Sequence, residues 1–475
     1  MSDVRKIQGL MVKDEQARNS IDSLNIDIES LSNELNQVKK DVSTAKTNGE
    51  TNTTSINAIN KTLSDINTLV NEFNDDMKNI SKDIKSYTGD KLITPYMFGA
   101  VGDGITDDSQ AFIDAVEHAK ELITSEALID EGVTVYIPAG RYLITRPIVI
   151  DKSGISIKGE GYSSTVIIAR DYNEYIFRIE SSDDSALWKN EISDLTIYTP
   201  KNDGNTPSHI HTYKMYYGTL RNLRLISYYN GIEIRTGGKT TVDNVMMFQA
   251  NANETSNHGL VLDGSDLHVS NVNIVPNIDN CNIALECKNI DGAYISNLHT
   301  NALCRITAVN WDGSGGTANN IKFVNCFFDT SMKDCVHING HSDNSIRNIM
   351  FTNCTFFNNA NSSMIFNTAY RTGPVMISDS VLGNCYRAIM GNVKTLLNVS
   401  NCTFWNVAQE NIVLTSSDNI ITGCRFINEN SKNYAVKCDS KTDNIISLCN
   451  FKDFITTLSS KLNVCEGNIC VNNIE

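Results

Sequence analysis

The stretch FTNCTFF, residues 351–357, sets one asparagine between two runs in which apolar and polar residues alternate. The same short pattern of apolar, any residue, Asn, apolar, any residue, apolar opens at Leu220 and returns around Asn244, Asn271, Asn297, Asn325 and Asn401. Asp194 and Asp379 take the asparagine slot in two more copies, and Gly423 and Leu448 take it in the last two. Successive slots lie 28, 22, 27, 26, 28, 28, 26, 22, 22 and 25 residues apart. Repeats of this length are stacked units, so this part of the chain is a solenoid. The local period around each slot is two, which makes each copy strand-like. Asn, Asp and Gly tolerate left-handed backbone, so the slot is a tight turn between strands. Stacked at strand spacing, such asparagines can hydrogen-bond along the axis. The pattern predicts an all-β fold, a parallel β-helix, whose eleven coils would make a rod of roughly 50 Å.

The residues after the slot predict the interior. Cys326, Cys354, Cys402, Cys424 and Cys449 follow it by one; Phe328, Phe356, Phe404, Phe426 and Phe451 follow it by three. These should form internal stacks of like side chains. All thirteen cysteines lie between Cys281 and Cys470 and none belongs to a CxxC pair, so buried reduced thiols are expected rather than disulfides or zinc.

Toward the N-terminus the chain changes character. A heptad frame from Ile21 puts Ile28, Leu35, Val42, Ile56, Leu63, Val70, Met77 and Ile84 at a, with Leu24, Leu31, Val38, Ala45, Ile59, Ile66, Phe73, Ile80 and Tyr87 at d. Only Gly49 and Asn52 interrupt it. A strict seven-residue repeat of this length demands a left-handed coiled coil, and Ile at both a and d favours three strands. The expected organisation is a helical coiled-coil stem over 1–91, a capping segment over 92–150 and the β-helix over 151–475. The formal net charge of −15 argues against broad nucleic-acid binding. No apolar run approaches the ~20 residues of a membrane span, so no membrane insertion is expected. The start MSDVRKIQGLMVKDEQ lacks the apolar core of a signal peptide, so folding in a cytoplasm is expected.

Between stem and ladder stands FGAVGDGITDDSQAFIDAVEHA, residues 98–119. Its aspartates look catalytic, but they read better as architecture. Thr106 is the expected N-cap, Asp107 and Asp108 fall in the first turn, and Ala111, Phe112, Ala115, Val116 and Ala119 form the apolar stripe of a capping helix. This stretch is followed by VTVYIPAGRYLI and GISIKGEGYSSTVI. In that order the three segments resemble the start of the pectate-lyase-like β-helix family, which includes many bacteriophage tail spikes and exopolysaccharide-degrading enzymes. The resemblance runs from residue 95 to about 470, and the stem is similar to those that precede such domains in phage fibres. It implies a right-handed β-helix, a homotrimer, a place in the virion tail with attachment to a tail or baseplate protein through the stem, and a bacterial surface polysaccharide that is bound and often cleaved. Asn257-His258-Gly259 partly matches the Gly-His-Gly signature of the polygalacturonase branch. No cofactor or metal is expected; calcium would enter only if the chemistry were that of a lyase.

Chemistry is expected on an outer face of successive coils. If the aliphatics of GIEIR, LVLD, IALE and VHIN point inward, then Glu233, Arg235, Asp263, Glu286 and His337 point out. Aligning Asp263 with Glu286 in consecutive coils sets them about 5 Å apart. Glycoside hydrolysis needs such a carboxylate pair, so Glu233, Asp263 and Glu286 are the catalytic candidates. Arg235 and His337 are candidates for substrate binding or for a lyase base. Tyr213, Tyr216 and Tyr217 offer aromatic faces on which sugar rings stack. His209 and His211 form an HxH pair in KNDGNTPSHIHTYKMYY, where a surface loop is the simpler reading than a metal site.

Overall fold

The computed structural model describes residues 30–44, 46, 58–72, 92–123, 132–170, 174–200, 207–248, 256–275, 281–331, 334–366, 370–391, 394–427, 434–438, 444–452, 463–464 and 469–471. The chain divides into two compact units, Met1–Asp90 and Lys91–Glu475. In the first, residues 30–44 and 58–72 are helical. The heptad positions Leu35, Val42, Leu63 and Val70 are 41–53% exposed there. The expected break at Gly49 and Asn52 lies outside the described residues.

The second unit is a right-handed parallel β-helix of about 11 turns. Its strand-to-strand ladders are parallel throughout, for example Thr219–Ile226 on Thr241–Phe248 and Ile346–Thr352 on Pro374–Ser378. All eleven slot residues, Leu448 among them, have positive φ between 50° and 63°. The turn geometry therefore belongs to the position, and asparagine is its common but not obligatory occupant. Asn222 Nδ2 donates to Asp194 Oδ1 at 2.8 Å, Asn244 to Asn222 at 2.9 Å and Asn297 to Asn271 at 3.0 Å. At one step Asn271 bonds Asp243 instead, at 2.9 Å. Two shorter ladders escaped the sequence pattern: Asn348 on Asn320 at 3.1 Å, and Asn406 on Asn384 at 3.1 Å, all four in the left-handed region.

The core stacks form as expected. Phe328 lies parallel to Phe356 at 4.9 Å, and Phe404, Phe426 and Phe451 stack at 4.7 and 5.0 Å, with Leu382 filling the rung between the two groups. Nine cysteines among the described residues are buried free thiols, and those after the slot donate to the carbonyl two residues back, as Cys354 does to Thr352 at 3.4 Å. Cys281, Cys438, Cys465 and Cys470 lie outside the described side chains.

The capping helix spans Ser109–Leu122 and buries Ala111, Phe112, Ala115, Val116 and Ala119. Its start corrects the sequence reading: the N-cap is Asp108, not Thr106, and no acidic residue occupies the first turn. Asp108 is buried, and it accepts from the amides of Val101 and Gly102 at 2.6 and 3.2 Å. Asp103 accepts from the amides of Ile105 and Thr106, both at 2.8 Å. The aspartates thus tie the glycine turn to the helix, because the loop's own amides lie nearer than the helix terminus. No helix among the described residues is long and apolar enough to cross a membrane.

Candidate functional site

Parallel register builds one outward column across seven coils: Arg178, His211, Glu233, Val261, Glu286, Arg305 and His337 follow one another rung by rung. Inward neighbours such as Ile210, Ile232, Ile234, Leu260, Leu262, Leu285 and Ile306 are fully buried, so the period-two pattern assigns the faces correctly. It does not assign the register. Glu286 stands opposite Val261, and Leu262 opposite Cys287, so Asp263 and Glu286 are not rung partners at 5 Å. The expected alignment is displaced by two residues, which leaves every side chain on its face but moves it along the strand. A register shift between Leu262 and Gly264 adds to the offset. Gly264 makes that shift feasible: its φ is +140°, and a Cβ there would sit 1.9 Å from the Gly237 carbonyl oxygen.

Three carboxylates consequently surround Val261. Glu233 and Glu286 flank it on the two neighbouring coils, and Asp263 lies two residues along its own strand. With ~3.3 Å per residue and ~4.8 Å between strands, Asp263 is about 8 Å by Cα from each glutamate. Each acid has its own partners. His211 Nδ1 lies 3.0 Å from Glu233 Oε1, and the Tyr175 hydroxyl donates to Oε2 at 2.8 Å. Burial pushes Glu233 up, but His211, Tyr175 and Arg235 outweigh it and hold the carboxyl below its ordinary range. Burial likewise opposes ionisation of Glu286, yet His258 Nε2 at 2.8 Å and the Arg305 guanidinium at 2.7 Å leave it lowered. For Asp263 burial wins and the carboxyl is raised, although Trp311 Nε1–H donates to Oδ2 and Asn289 Nδ2 approaches Oδ1 at 3.4 Å.

Around this triangle stand Arg235, whose guanidinium lies 4.9 Å from the Trp311 ring centre and 5.7 Å from that of Tyr213, and Lys288, whose ammonium lies 4.0 Å from the Trp311 ring centre. His337 is held by buried Asp334, 2.7 Å from its Nε2. The other tyrosines are elsewhere. Beyond a left-handed turn at Lys214, Tyr216 and Tyr217 stack on Trp188 at 5.1 and 5.8 Å, so the predicted aromatic cluster is split. The HxH reading also changes. Both histidines sit in the strand Ser208–Tyr213, buried, whereas residues 201–206 of the preceding loop lie outside the described residues. His209 accompanies Thr199 at 3.1 Å, and burial pulls it down to about 3. Among the described residues no three His, Cys, Asp or Glu side chains converge as metal ligands.

Sequence reasoning gave no role to Tyr175, Arg305, Lys288 or Trp311, and it noticed His211 and His258 only as parts of short motifs, not as partners of Glu233 and Glu286. Arg305 was accessible in principle, since Cys304-Arg305-Ile306 alternates like the other strands. Trp311 was not, because it sits on a turn outside the repeat.

Residues 96–327 match the family model described as rhamnogalacturonase A/epimerase, pectate lyase-like. The chain is 25% identical over 332 residues to a glucan 1,3-beta-glucosidase of Cochliobolus carbonum, covering 66% of this chain and 38% of that protein. It is 37% identical over 89 residues to the capsule K3-specific depolymerase 1 of Klebsiella phage KP32, covering 16% of this chain and 9% of the relative. The chain thus spans well under half of either relative's length. Among solved structures, pre-mature bacteriophage phi29 gene product 12 superposes with a TM-score of 0.61 at 13% identity, over 82% of this chain and 57% of that one. A mutant tailspike of E. coli bacteriophage HK620, in complex with a pentasaccharide, gives 0.59 at 10% identity over 80% and 81%. At such identities these two structures speak for the fold alone.

Proposed function

We propose that this chain, which belongs to the pectate-lyase-like β-helix family, binds a bacterial surface polysaccharide along the Arg178–His337 column and hydrolyses it. The observation that carries the reading is three carboxylates set around Val261 in unlike surroundings: Glu233 against His211 and Tyr175 and Glu286 against His258 and Arg305, both lowered, and Asp263 buried against a neutral indole donor, raised. An acid and a base kept apart in this way are what glycoside hydrolysis requires. In this reading Asp263 protonates the leaving oxygen. Glu233, its side chain 12% exposed against 5% for Glu286, activates water. The Cα atoms of Asp263 and Glu233 stand about 8 Å apart across the diagonal, and in this reading the two carboxyl groups keep the wider separation that admits a water and gives inversion. Glu286 fixes Arg305 and His258 beside the sugar. Tyr175, Tyr213 and Trp311 supply ring faces, and Arg235 and Lys288 supply cations.

The similarity to a phage capsule depolymerase and the helical stretches bearing the heptad frame support a receptor-binding spike of a phage tail, trimeric through its stem. Light scattering on the full chain should give three times the chain mass of 52.6 kDa; a monomer contradicts the frame. Activity is tested by incubating the protein with capsular polysaccharides while following reducing ends and absorbance near 235 nm. New reducing ends without the unsaturated chromophore, abolished in Asp263→Asn and Glu233→Gln, are expected. Both signals together would indicate a lyase with Arg235 or His337 as base. Binding without either signal would leave a non-catalytic adhesin.

A further inference from the structure

The turn that carries Trp311 stands outside the β-helix. Residues 308–317 leave the coil after the strand Cys304–Thr307 and return to it at the strand Ala318–Val324. Val309 and Gly315 make an antiparallel bridge, whereas the coil ladders are parallel. The tip is tied down from within. Asn310 N–H donates to the Ser314 carbonyl at 2.9 Å, and Asp312 accepts from the Ser314 amide at 2.9 Å and from its hydroxyl at 2.6 Å. Gly313 takes the left-handed position with φ +82°. The base is tied to the site: the Thr317 amide donates to Asn289 Oδ1 at 3.2 Å, and Asn289 also faces Asp263. A Cβ on Gly316 would stand 2.7 Å from that same Asn289 oxygen, so the hairpin seats closely on it. A tightly braced hairpin thereby delivers one indole N–H to one carboxylate oxygen.

We infer that Trp311 is a positioning residue for Asp263: its indole N–H fixes Oδ2 and leaves Oδ1 as the oxygen that carries and delivers the proton. This deepens the proposed function and rests on it for the catalytic consequence alone. The asymmetry is in the contacts. Oδ2 holds the indole hydrogen bond, whereas Oδ1 meets only the long approach of Asn289 at 3.4 Å among side-chain donors. The remaining groups facing Asp263 are Arg235 and the Thr236 amide from the preceding coil, Lys288 from the following one, and the two glutamates diagonally. Arg235 and Lys288 both lie against the indole ring, so the tryptophan also holds them at the carboxylate's flank without an ion pair.

The test begins with 5-fluorotryptophan in the full-length protein, whose three tryptophans give three fluorine resonances, followed by NMR from pH 4 to 9. The signal lost in Trp311→Phe, or the one remaining in Trp188→Phe/Trp405→Phe should the first variant not fold, belongs to Trp311. It is expected to titrate in the wild type and to be flat in Asp263→Asn. A signal that is flat in the wild type, or that titrates unchanged in Asp263→Asn, overturns the inference. In the cleavage assay Trp311→Phe keeps the ring and loses the donor. Losing a hydrogen bond that favours the ionised form raises Asp263, so the alkaline limb of kcat/KM should move up by about one pH unit, with kcat reduced more than KM changes. An unmoved limb overturns the inference. Fluorine titration coupled to Asp263, in a protein that cleaves nothing, would refute the proposed hydrolysis while the positioning contact stands.

Discussion

Glu286→Gln should destabilise the β-helix by an amount that the site's geometry sets. The carboxylate is 3% exposed and receives Arg305 on Oε1, at 2.8 Å from Nε and 2.7 Å from Nη2, with His258 on Oε2 at 2.8 Å. Removing one partner of a buried ion pair costs about 3–5 kcal/mol, because the other charge is left uncompensated. Arg305 is 34% exposed and recovers part of that loss from water, and glutamine keeps the shape and one acceptor, so about 2–3 kcal/mol is expected. For a chain of this size that is a fall of about 2–3 °C in the thermal midpoint followed by near-UV circular dichroism. Adding Arg305→Met should recover part of the loss, since the orphaned cation is then gone. The pH dependence supplies a second arm. Glu286 is lowered from the ordinary 4.5, so its contribution is present above pH 4.5 and is lost as pH falls through the folded value. Glu286→Gln should therefore lose less stability than the wild type on acidification below pH 4.5. A midpoint within a degree of wild type at pH 7, or parallel acid curves, would refute the assigned charge pairing.

Two further outcomes follow from the coil. Asn353 sits at φ +53° and donates to Asn325 Oδ1 at 2.5 Å, so Asn353→Gly should cost about 1 kcal/mol for the ladder bond, and Asn353→Ala about twice that for the added backbone strain; equal midpoints for the two variants would show that the left-handed turn carries no cost. His209 is buried in its neutral form and pulled down to about 3, so unfolded chains bind a proton below pH 6.5 that the folded chain refuses. Wild-type stability should then fall between pH 6.5 and 5 by up to about 1.4 kcal/mol per unit, and His209→Gln should flatten that interval in a thermal-shift series.

The coil was legible because its signals are local and repeated. One left-handed slot, one cysteine after it and one phenylalanine after that recur often enough for spacing alone to place them, and all eleven slots take the expected φ sign. Faces were legible for the same reason, since side-chain period two is read within a single strand. Register was not. The coils vary from 22 to 28 residues, so the arcs between strands decide which outward residue meets which, and a two-residue slip leaves every local pattern intact. That is why Asp263 and Glu286 aligned by pattern but stand a diagonal apart.

What distinguishes the three carboxylates also lies largely off the repeat. Glu233 owes its lowered value first to His211, in the strand Ser208–Tyr213 that read as a surface loop, and then to Tyr175 two coils away. Asp263 is raised by burial, which the indole N–H of Trp311, on a hairpin that interrupts the repeat and has no period of its own, offsets only in part. A regular ladder can set acids on one face at fixed intervals, but stacked like positions would give them like surroundings and like proton affinities. The difference between an acid and a base has to be brought by unlike neighbours: a histidine beside Glu233 and an arginine one rung on from Glu286 hold those two low, whereas at Asp263 the indole and Arg235 only partly offset burial. In this chain the β-helix therefore supplies the spacing, and its departures from repetition supply the chemistry.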